Sequence, residues 1–411
     1  MPPSAPSDNG GMHLIDDIVA ARPQFQALRR DIHAHPELCY QEQRTSALVA
    51  QTLEGWGIEV HRGMGTTGVV GVIRGHGGPG RMIGLRADMD ALPIEEVNQF
   101  AHRSTQHGRM HACGHDGHTA MLLAAACHLA QQRSFAGTVV LIYQPAEEGG
   151  AGARKMIEDG LFDRFPCDAV FGIHNWPGLA VGQMGIASGA LMASTSEFEI
   201  LVRGRGSHAA MPDLGVDPVL VAVHIVQGLQ GLITRAKRPI DSAVLSVTMI
   251  HAGEATNVVP DTASISGTVR TFDEHVTTLL EQGMRRIAEG TAQAHQASAH
   301  VQFVRNYPPT INHAREAEFA ALVAEETLGP AMVLRNVDPT MGAEDFAFML
   351  QQRPGAYLLL GNGSTGDHRS AGHGAGPCTL HNASYDFNDE LIPIGASFWV
   401  RLAQRFLSQA Q

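Results

Sequence analysis

Over residues 12–190, short apolar runs rich in Val and Ile alternate with helix-like segments. The runs are GVVGVIRG, RMIGLRADMD, TVVLIYQP and DAVFGIHNWPG, and each is bounded by Gly or Pro. Such runs are typical of strands that are buried on both faces of a mostly parallel sheet. Because helical segments such as HTAMLLAAACHLAQQ lie between them, this part is predicted to be an α/β domain with helices on both faces.

Residues 191–307 show a different pattern, in which the strands alternate polar and apolar residues. The order is strand, helix, strand, strand, helix, strand: TSEFEILVRG, DPVLVAVHIVQGLQGLITRA, SAVLSVTMIHAG, TASISGTVRTF, DEHVTTLLEQGMRRIAEGTAQAH and SAHVQFVRNYPP. This βαββαβ order predicts a smaller, ferredoxin-like domain. The α/β pattern returns over residues 308–411, so the smaller domain is predicted to interrupt a larger one. Two domains also suit a length of 411 residues.

Charge and cysteine content limit the partners and the compartment. A formal net charge of −12 leaves no basic surface for nucleic acid. No apolar run approaches the roughly 20 residues that cross a bilayer, and the opening MPPSAPSDNGG has neither the basic start nor the hydrophobic segment of a secretory signal. The five cysteines are scattered and odd in number, which indicates a reducing compartment. We expect a cytoplasmic protein with a small-molecule substrate.

Polar side chains follow three predicted strands at the points where those strands end. They are Asp88 and Asp90, Glu147 and Glu148, and His174 and Asn175. In open α/β sheets, ligands bind beyond the carboxyl ends of the strands. The stretch MHACGHDGHTAM, residues 110–121, lies between the first two strands in the chain. A single site could therefore gather all of these residues.

Cys113 and His115 have the chemistry of metal ligands. Two residues apart, they would point in different directions on a helix, but both can face one ion in a turn that contains Gly114. Thiolate, imidazole and carboxylate are the ligands that a zinc-like cation takes. Cys113 could instead be a small buried thiol, or a nucleophile with a His as its base. His111 and His118 receive no role, and Asp116 is predicted to cap a helix that begins near His118.

The adjacent residues Glu147 and Glu148 are predicted to have different roles. One carboxylate can bind metal, while the other takes the proton of a water whose pKa the metal lowers from 15.7 to about 7. Adjacent surface carboxylates are more often merely solvated, but here a buried strand precedes the pair and two glycines follow it.

Three further candidates lie in the predicted insert. His208 is in the loop GRGSHAAMP, Asn257 connects the two middle strands, and Arg270 is on one of these strands. These side chains donate hydrogen bonds that suit an oxyanion and a substrate carboxylate.

Ten motifs in register extend the interpretation to nearly the whole chain. They are RRDIHAHPELCYQE, LRADMDALPIEE, MHACGHDGHTAMLL, QPAEEGGAGARKMIEDG, GIHNWPG, GRGSHAAMP, NVVPD, GTVRTF, GAEDFAF and LHNASYDFND. With them the chain resembles the metal-dependent aminoacylase/carboxypeptidase family. The similarity is to its branch of hippurate hydrolases, N-acyl-amino-acid amidohydrolases and plant auxin-conjugate hydrolases.

The resemblance implies a role for each candidate. The ligands of two divalent ions would be Cys113, His115, Glu148, His174 and His381, with Glu147 as general base and Asp90 as a supporting carboxylate. His208 and Asn257 would polarise the scissile carbonyl, Arg270 would bind the substrate carboxylate, and Glu344 would lie at the site. The resemblance further implies a dimer formed through the insert. In dimeric members His208 and Asn257 can reach the partner subunit's site.

The implied reaction is hydrolysis of the amide bond of an N-acyl amino acid, with Zn or Mn as the expected metal and Ni or Co as alternatives. Many relatives have His-x-Asp where this chain has Asp88-Met89-Asp90, which leaves Asp88 without a role. Alternative activities are those of a dipeptidase or an N-acetyl-diaminopimelate-type deacetylase. Alternatives from other classes are a cysteine hydrolase that uses Cys113 and a metal-binding protein without activity.

Overall fold

The computed structural model describes residues 11–364 and 371–409, so nearly all of the opening segment MPPSAPSDNGG lies outside the described residues. The described residues form two compact units. The first contains the chain up to Gly189, Ile311–Asp338 and the chain from Phe348; the second contains Ala190–Thr310 and Pro339–Ala347. The sequence-based division places Pro339–Ala347 in the larger domain instead. This segment joins the second unit because the Ala193 amide donates to the carbonyls of Thr340 and Gly342.

The secondary structure alternates along the chain much as the periodicity predicts. The α-helices are α1 Asp16–Ala34, α2 Gln43–Gly55, α3 His115–Gln131, α4 Gly152–Glu158, α5 Leu161–Arg164, α6 Pro218–Gly231, α7 Glu274–Ala294, α8 Ala314–Leu328, α9 Ala347–Gln352 and α10 Leu391–Ser408. The strands are β1 Glu59–Met64, β2 Gly68–Arg74, β3 Met82–Asp88, β4 Thr138–Gln144, β5 Ala169–Pro177, β6 Met184–Ile186, β7 Gly189–Met192, β8 Thr195–Arg203, β9 Ser207–His208, β10 Ala243–Ala252, β11 Val258–Val259, β12 Thr262–Thr271, β13 Ser298–Tyr307, β14 Thr310–Asn312, β15 Val333–Arg335 and β16 Gly355–Gly363.

The first unit is built on one large sheet with the strand order β1-β2-β4-β3-β5-β16-β6-β15. Its central pairs β4-β3, β3-β5 and β5-β16 are parallel, whereas β1 and β2 run antiparallel to their neighbours. Every residue of β16 is buried. Successive side chains of a strand point to opposite faces, so both faces of the sheet are covered at this strand. The predicted mostly parallel α/β fold is confirmed.

The parallel strands β3, β4 and β5 bring their carboxyl ends to one edge of the sheet. β3 ends at Asp88 and β4 ends at Gln144, directly before the loop with Glu147 and Glu148. Helix α3 begins at His115, three residues earlier than predicted. Asp116 therefore lies in the first turn of α3, and the prediction that it caps this helix is wrong.

The second unit has a four-stranded antiparallel sheet of order β10-β12-β8-β13. Numbered by their order in the chain, the four strands lie side by side as second, third, first and fourth. This is the ferredoxin-like topology that the βαββαβ pattern predicts. Helices α6 and α7 supply Val221, Ile225 and Leu280 to a core shared with the sheet residues Ile200 and Ile265.

Candidate metal centre

Three buried ligand-type side chains converge at the carboxyl ends of the central strands. Donor atoms of Cys113, His115 and His174 lie within 4.8 Å of one another, and Cys113 Sγ is 3.3 Å from His174 Nε2. All three residues are buried. One cation could contact a thiolate and two imidazoles at this point.

Glycine 114 makes the convergence of Cys113 and His115 sterically feasible. Its φ of +93° places it in the left-handed region, which a glycine adopts without steric cost. A Cβ at this position would overlap Asn175 Oδ1 and Tyr385 Oη. The chain can therefore turn into α3 close to the end of β5, as the predicted role of Gly114 requires.

Backbone carbonyls fix the orientation of both imidazoles. His115 Nδ1 donates to the carbonyl of Asp90 at 2.9 Å, and His174 Nδ1 donates to that of Asn175 at 2.7 Å. In the neutral rings, these bonds leave Nε2 as the lone-pair nitrogen, which is the form that binds metal. Among the described residues, His115 Nε2 is buried without a hydrogen-bond partner. An orphaned buried nitrogen of this kind fits a metal ligand.

A second ligand group shares Cys113 with the first. It contains Glu148 and His381, with donor atoms again within 4.8 Å of one another. Glu148 Oε1 lies 3.1 Å from His381 Nε2 and 4.0 Å from His115 Nε2. His381 is on a loop, where its amide donates to the Ala112 carbonyl at 2.8 Å. The structure thus brings together all five residues that the resemblance names as ligands.

Glu147 lies beside these ligands, and Asp90 fixes the backbone that carries it. Donor atoms of Glu147, Glu148 and His115 lie within 4.8 Å of one another. The amides of Glu147 and Glu148 donate to the two carboxylate oxygens of Asp90, at 3.0 and 2.9 Å. Asp90 therefore contacts both the loop with the two glutamates and the His115 ring, whose Nδ1 lies 3.3 Å from Asp90 Oδ1.

The electrostatics of the cluster also fit a cation. Burial, reinforced by the carboxylates of Glu148 and Glu147, raises the pKa of the Cys113 thiol well above its usual value. Burial opposes a charge on His115, but Asp88 and Asp90 outweigh it and raise the pKa of His115 to about 10. A reactive cysteine needs electropositive surroundings that lower its pKa, which is the reverse of this environment. The arrangement argues against Cys113 as a nucleophile, whereas a bound cation would favour its thiolate.

Asp88, which has no role by sequence, belongs to a chain of buried polar groups behind the ligands. It accepts hydrogen bonds from Arg86 and from His118 Nδ1, both at 2.6 Å. His118 Nε2 in turn accepts from the Asn175 amide at 2.9 Å. Asp88, His115 and His118 also form a possible ligand group, but the ion pair with Arg86 already neutralises this carboxylate. Arg86, an arginine within an apolar strand, is the sequence signal that could have revealed this pairing.

Asp116 and His33 form part of a second buried polar network. His33 Nδ1 donates to Asp116 Oδ2 at 2.8 Å, and Arg29 lies 3.3 Å from the same oxygen.

His111 is also buried, and burial lowers its pKa to about 4. Both of its ring nitrogens lack a hydrogen-bond partner among the described residues. Nothing in the structure explains why a histidine occupies this position.

The remaining candidates lie in the second unit. His208 on β9 and Asn257 before β11 are exposed, Arg270 on β12 is half-buried, and Glu344 is buried. β9 and β11 pair with each other, which holds the segments with His208 and Asn257 side by side. The roles of these four residues stay predictions.

A family model described as peptidase family M20/M25/M40 matches residues 84–405. The chain belongs to this family. The membership predicted from the ten motifs is confirmed, and so is the prediction of a hydrolytic enzyme.

Two relatives and one solved structure extend the match to nearly the whole chain. The hippurate hydrolase of Campylobacter jejuni is 40% identical over 96% of this chain and 100% of its own length. The N-acetyl-L-cysteine deacetylase of Bacillus subtilis is 40% identical over 93% of this chain and 88% of its own. The crystal structure of the Bacillus subtilis YXEP protein, a dinuclear metal binding peptidase of the M20 family, has a TM-score of 0.81. It is 34% identical and covers 95% of this chain and 100% of its own.

Proposed function

We propose that the protein is a metal-dependent amidohydrolase that cleaves N-acyl amino acids to a carboxylic acid and a free amino acid. One observation carries the proposal: a cluster of one thiol, imidazoles and a carboxylate, in which Cys113, His115 and His174 are buried, lies beside a second carboxylate, Glu147, on a fixed backbone. The hippurate hydrolase and the deacetylase in the comparison support this substrate class, since both of their names denote removal of an acyl group from an amino acid.

The ligand set suits two divalent ions, with Cys113, His115 and His174 able to contact one and Cys113, Glu148 and His381 the other. When bound, such ions lower the pKa of water and polarise a carbonyl. Sulfur, nitrogen and oxygen ligands together favour zinc or manganese, with nickel and cobalt as alternatives.

The chain's own residues perform the proton transfers. Glu147 takes the proton of the attacking water and delivers it to the departing amine, because an amine leaves readily only once it is protonated. His208 and Asn257 donate hydrogen bonds to the oxyanion that forms on the carbonyl oxygen. Arg270 binds the substrate carboxylate through its planar fork of donors. Glu344 contributes to the substrate site as well.

Hippurate hydrolysis tests the proposal. We expect release of benzoate and glycine by the purified protein, loss of this activity after dialysis against a chelator, and recovery when a single metal is added back. Activity that withstands chelation but is blocked by a thiol alkylator would instead indicate a cysteine hydrolase. A panel with dipeptides and N-acetyl-diaminopimelate separates the alternative substrates.

A dimer through the second unit accompanies this proposal. Helix α6 turns Val221 and Ile225 into the core but leaves Val219, Leu220 and Val223 39–47% exposed. Strand β10 is an edge strand of its sheet and can pair with another chain. A second copy would cover both features. Size-exclusion chromatography with light scattering should give a dimer for the wild type and a monomer for Val223→Glu.

A cytoplasmic location is part of the proposal. All five cysteines are free, which suits a reducing compartment. In the described part of the chain, one helical stretch, Pro218–Ala236, is long and apolar enough to span a membrane by length and composition, and 28% of it is buried. A helix that packs one of its sides into a domain core can have the same length and composition. Helix α6 packs Val221 and Ile225 into the core of the second unit in this way. Fractionation of cells should place the protein with the cytosolic markers.

A further inference from the structure

The loop after β4 has an unusual backbone. Between Gln144 and the start of α4 at Gly152, the φ angles of Ala146 and Ala151 are both +54°, and that of Gly149 is +82°. A left-handed conformation costs a non-glycine residue about 1–2 kcal/mol. Two alanines hold it within one short loop, so the surrounding structure must fix the path of this backbone. The loop carries Glu147 and Glu148, whose positions the proposed reaction requires.

Two buried carboxylates bind three consecutive amides of this loop. The Ala146 amide donates to Glu42 Oε1 at 2.9 Å, while the amides of Glu147 and Glu148 donate to Asp90. Successive amides that follow a left-handed residue form a concave anion-binding nest. Here the carboxylates of Glu42 and Asp90 are the anions. The nest therefore fixes the backbone direction at Glu147 and Glu148.

Glu42 comes from a distant part of the sequence and is fully buried. Its Oε1 also accepts from the Tyr40 amide at 3.0 Å, and its Oε2 accepts from Thr67 Oγ1 at 2.6 Å. Burial, together with the nearby Asp90 carboxylate, raises the pKa of Glu42 to about 7. Burying an ionisable group lowers the stability of the fold. An apolar side chain would avoid this cost at a position needed only for packing.

The same segment holds the far end of the loop. Tyr40 donates its hydroxyl to the Gly150 carbonyl at 2.6 Å. A Cβ at position 150 would overlap the sulfur of Cys39. The segment Cys39–Glu42 therefore contacts the loop on both sides of the two glutamates.

We infer that Glu42, assisted by Tyr40, is a positioning residue that sets Glu147 and Glu148 through the backbone of their loop. This inference rests on the proposed function for its kinetic consequence only. Glu42 is not one of the proposed metal ligands, and it acts through its hydrogen bonds to the Ala146 amide and Thr67. Glutamine can keep these bonds, because its carbonyl accepts from an amide and its NH₂ can donate to the threonine hydroxyl. Alanine loses them.

The test compares Glu42→Gln, Glu42→Ala and the control Val49→Ala. Val49 is fully buried in α2 and its side chain has no polar atom, so its truncation destabilises the same region without removing a hydrogen bond to the loop. At saturating metal, we expect Glu42→Ala to lower kcat roughly 10- to 100-fold with little change in KM, and to change the visible spectrum of the cobalt-substituted protein. Glu42→Gln and Val49→Ala should stay within about 5-fold of wild-type kcat. If Glu42→Ala does not fold, Tyr40→Phe takes its place in the test. This variant keeps the ring but loses the hydrogen bond to the Gly150 carbonyl, so a smaller loss of kcat is expected.

Hydrogen exchange separates this inference from the proposed function. The amides of residues 146–152 should exchange faster in Glu42→Ala than in Val49→Ala, whether or not any substrate is hydrolysed. Unchanged exchange and an unchanged cobalt spectrum in Glu42→Ala would overturn the inference. Equal impairment of Glu42→Gln and Glu42→Ala would also overturn it, since charge rather than hydrogen bonding would then be the requirement. A wild type that hydrolyses no acyl-amino acid, yet shows the exchange difference, contradicts only the proposed function.

Discussion

The candidate residues of the two units differ in how the fold holds them. In the first unit, Cys113, His115 and His174 are buried, and hydrogen bonds to backbone carbonyls orient both imidazoles. In the second unit, His208 is exposed on the two-stranded ribbon of β9 and β11, and Asn257 is exposed directly before β11. Under the proposed function, the first unit would hold the metal in a preformed site, whereas the exposed residues of the second would act on the substrate. Substitutions in the two units should therefore separate metal content from turnover.

The largest effect is expected for Glu147→Gln, in the first unit but outside the proposed ligand set. We expect kcat for hippurate to fall about 10²- to 10⁴-fold, because the amide cannot accept the proton of water. Metal content, measured by mass spectrometry, should stay at the wild-type level, whereas the control Glu148→Gln should lose metal. Near-normal turnover of Glu147→Gln refutes its assignment as the base.

His208→Ala tests the other half of the comparison. If His208 donates to the oxyanion, kcat/KM should fall roughly 100-fold, while metal content and the free energy of unfolding stay unchanged because the side chain is exposed. Steady-state kinetics and metal analysis on one preparation provide the measurement. A loss of metal in parallel with activity would contradict the division between the two units.

Arg270→Ala should have a smaller effect, confined to substrates with a free carboxylate. A hydrogen bond to a charged group contributes about 1.5–3 kcal/mol, so kcat/KM for hippurate should fall roughly 10- to 100-fold. The corresponding amide of hippurate has no carboxylate and serves as the control substrate. Equal losses on both substrates would show that Arg270 does not recognise this group.

The smallest effect concerns the contribution to stability of the second buried polar network, which contains His33 and Asp116. Burial disfavours a charged His33, but Asp116 outweighs it and raises the pKa of His33 from 6.5 to about 9. The charged form is thus favoured by folding, so its contribution is fully present below about pH 6.5 and is lost as the pH rises through 9. Urea unfolding at pH 6, 7, 8 and 9 should show a decline on the order of 2 kcal/mol that His33→Gln lacks. The prediction would be contradicted if the free energies of unfolding of the wild type and of His33→Gln changed equally with pH.

Local patterns were sufficient for much of the fold. The Val- and Ile-rich runs predict β2, β3, β4 and β5, and the alternating strands predict the βαββαβ order of the second unit, because side-chain periodicity reflects burial. The same reasoning placed the start of α3 too late. His115–Gly117 lack an apolar period, yet they are helical because Gly114 redirects the chain and Asp116 pairs with His33 on α1. Contacts with a distant helix leave no local signal.

Within the site, the sequence by itself determined the family, the fold class and the identity of the ligand-type residues, because these depend on motif order and on the chemistry of side chains. Only the tertiary structure decided what surrounds them. It pairs Asp88 with Arg86 and His118, and it brings Glu42 to an amide 104 positions away in the chain. Glu42, which precedes α2, and His118 on α3 meet these partners because the fold brings helix starts and loops to the edge of the sheet where its parallel strands end, and their separation along the chain does not reveal this.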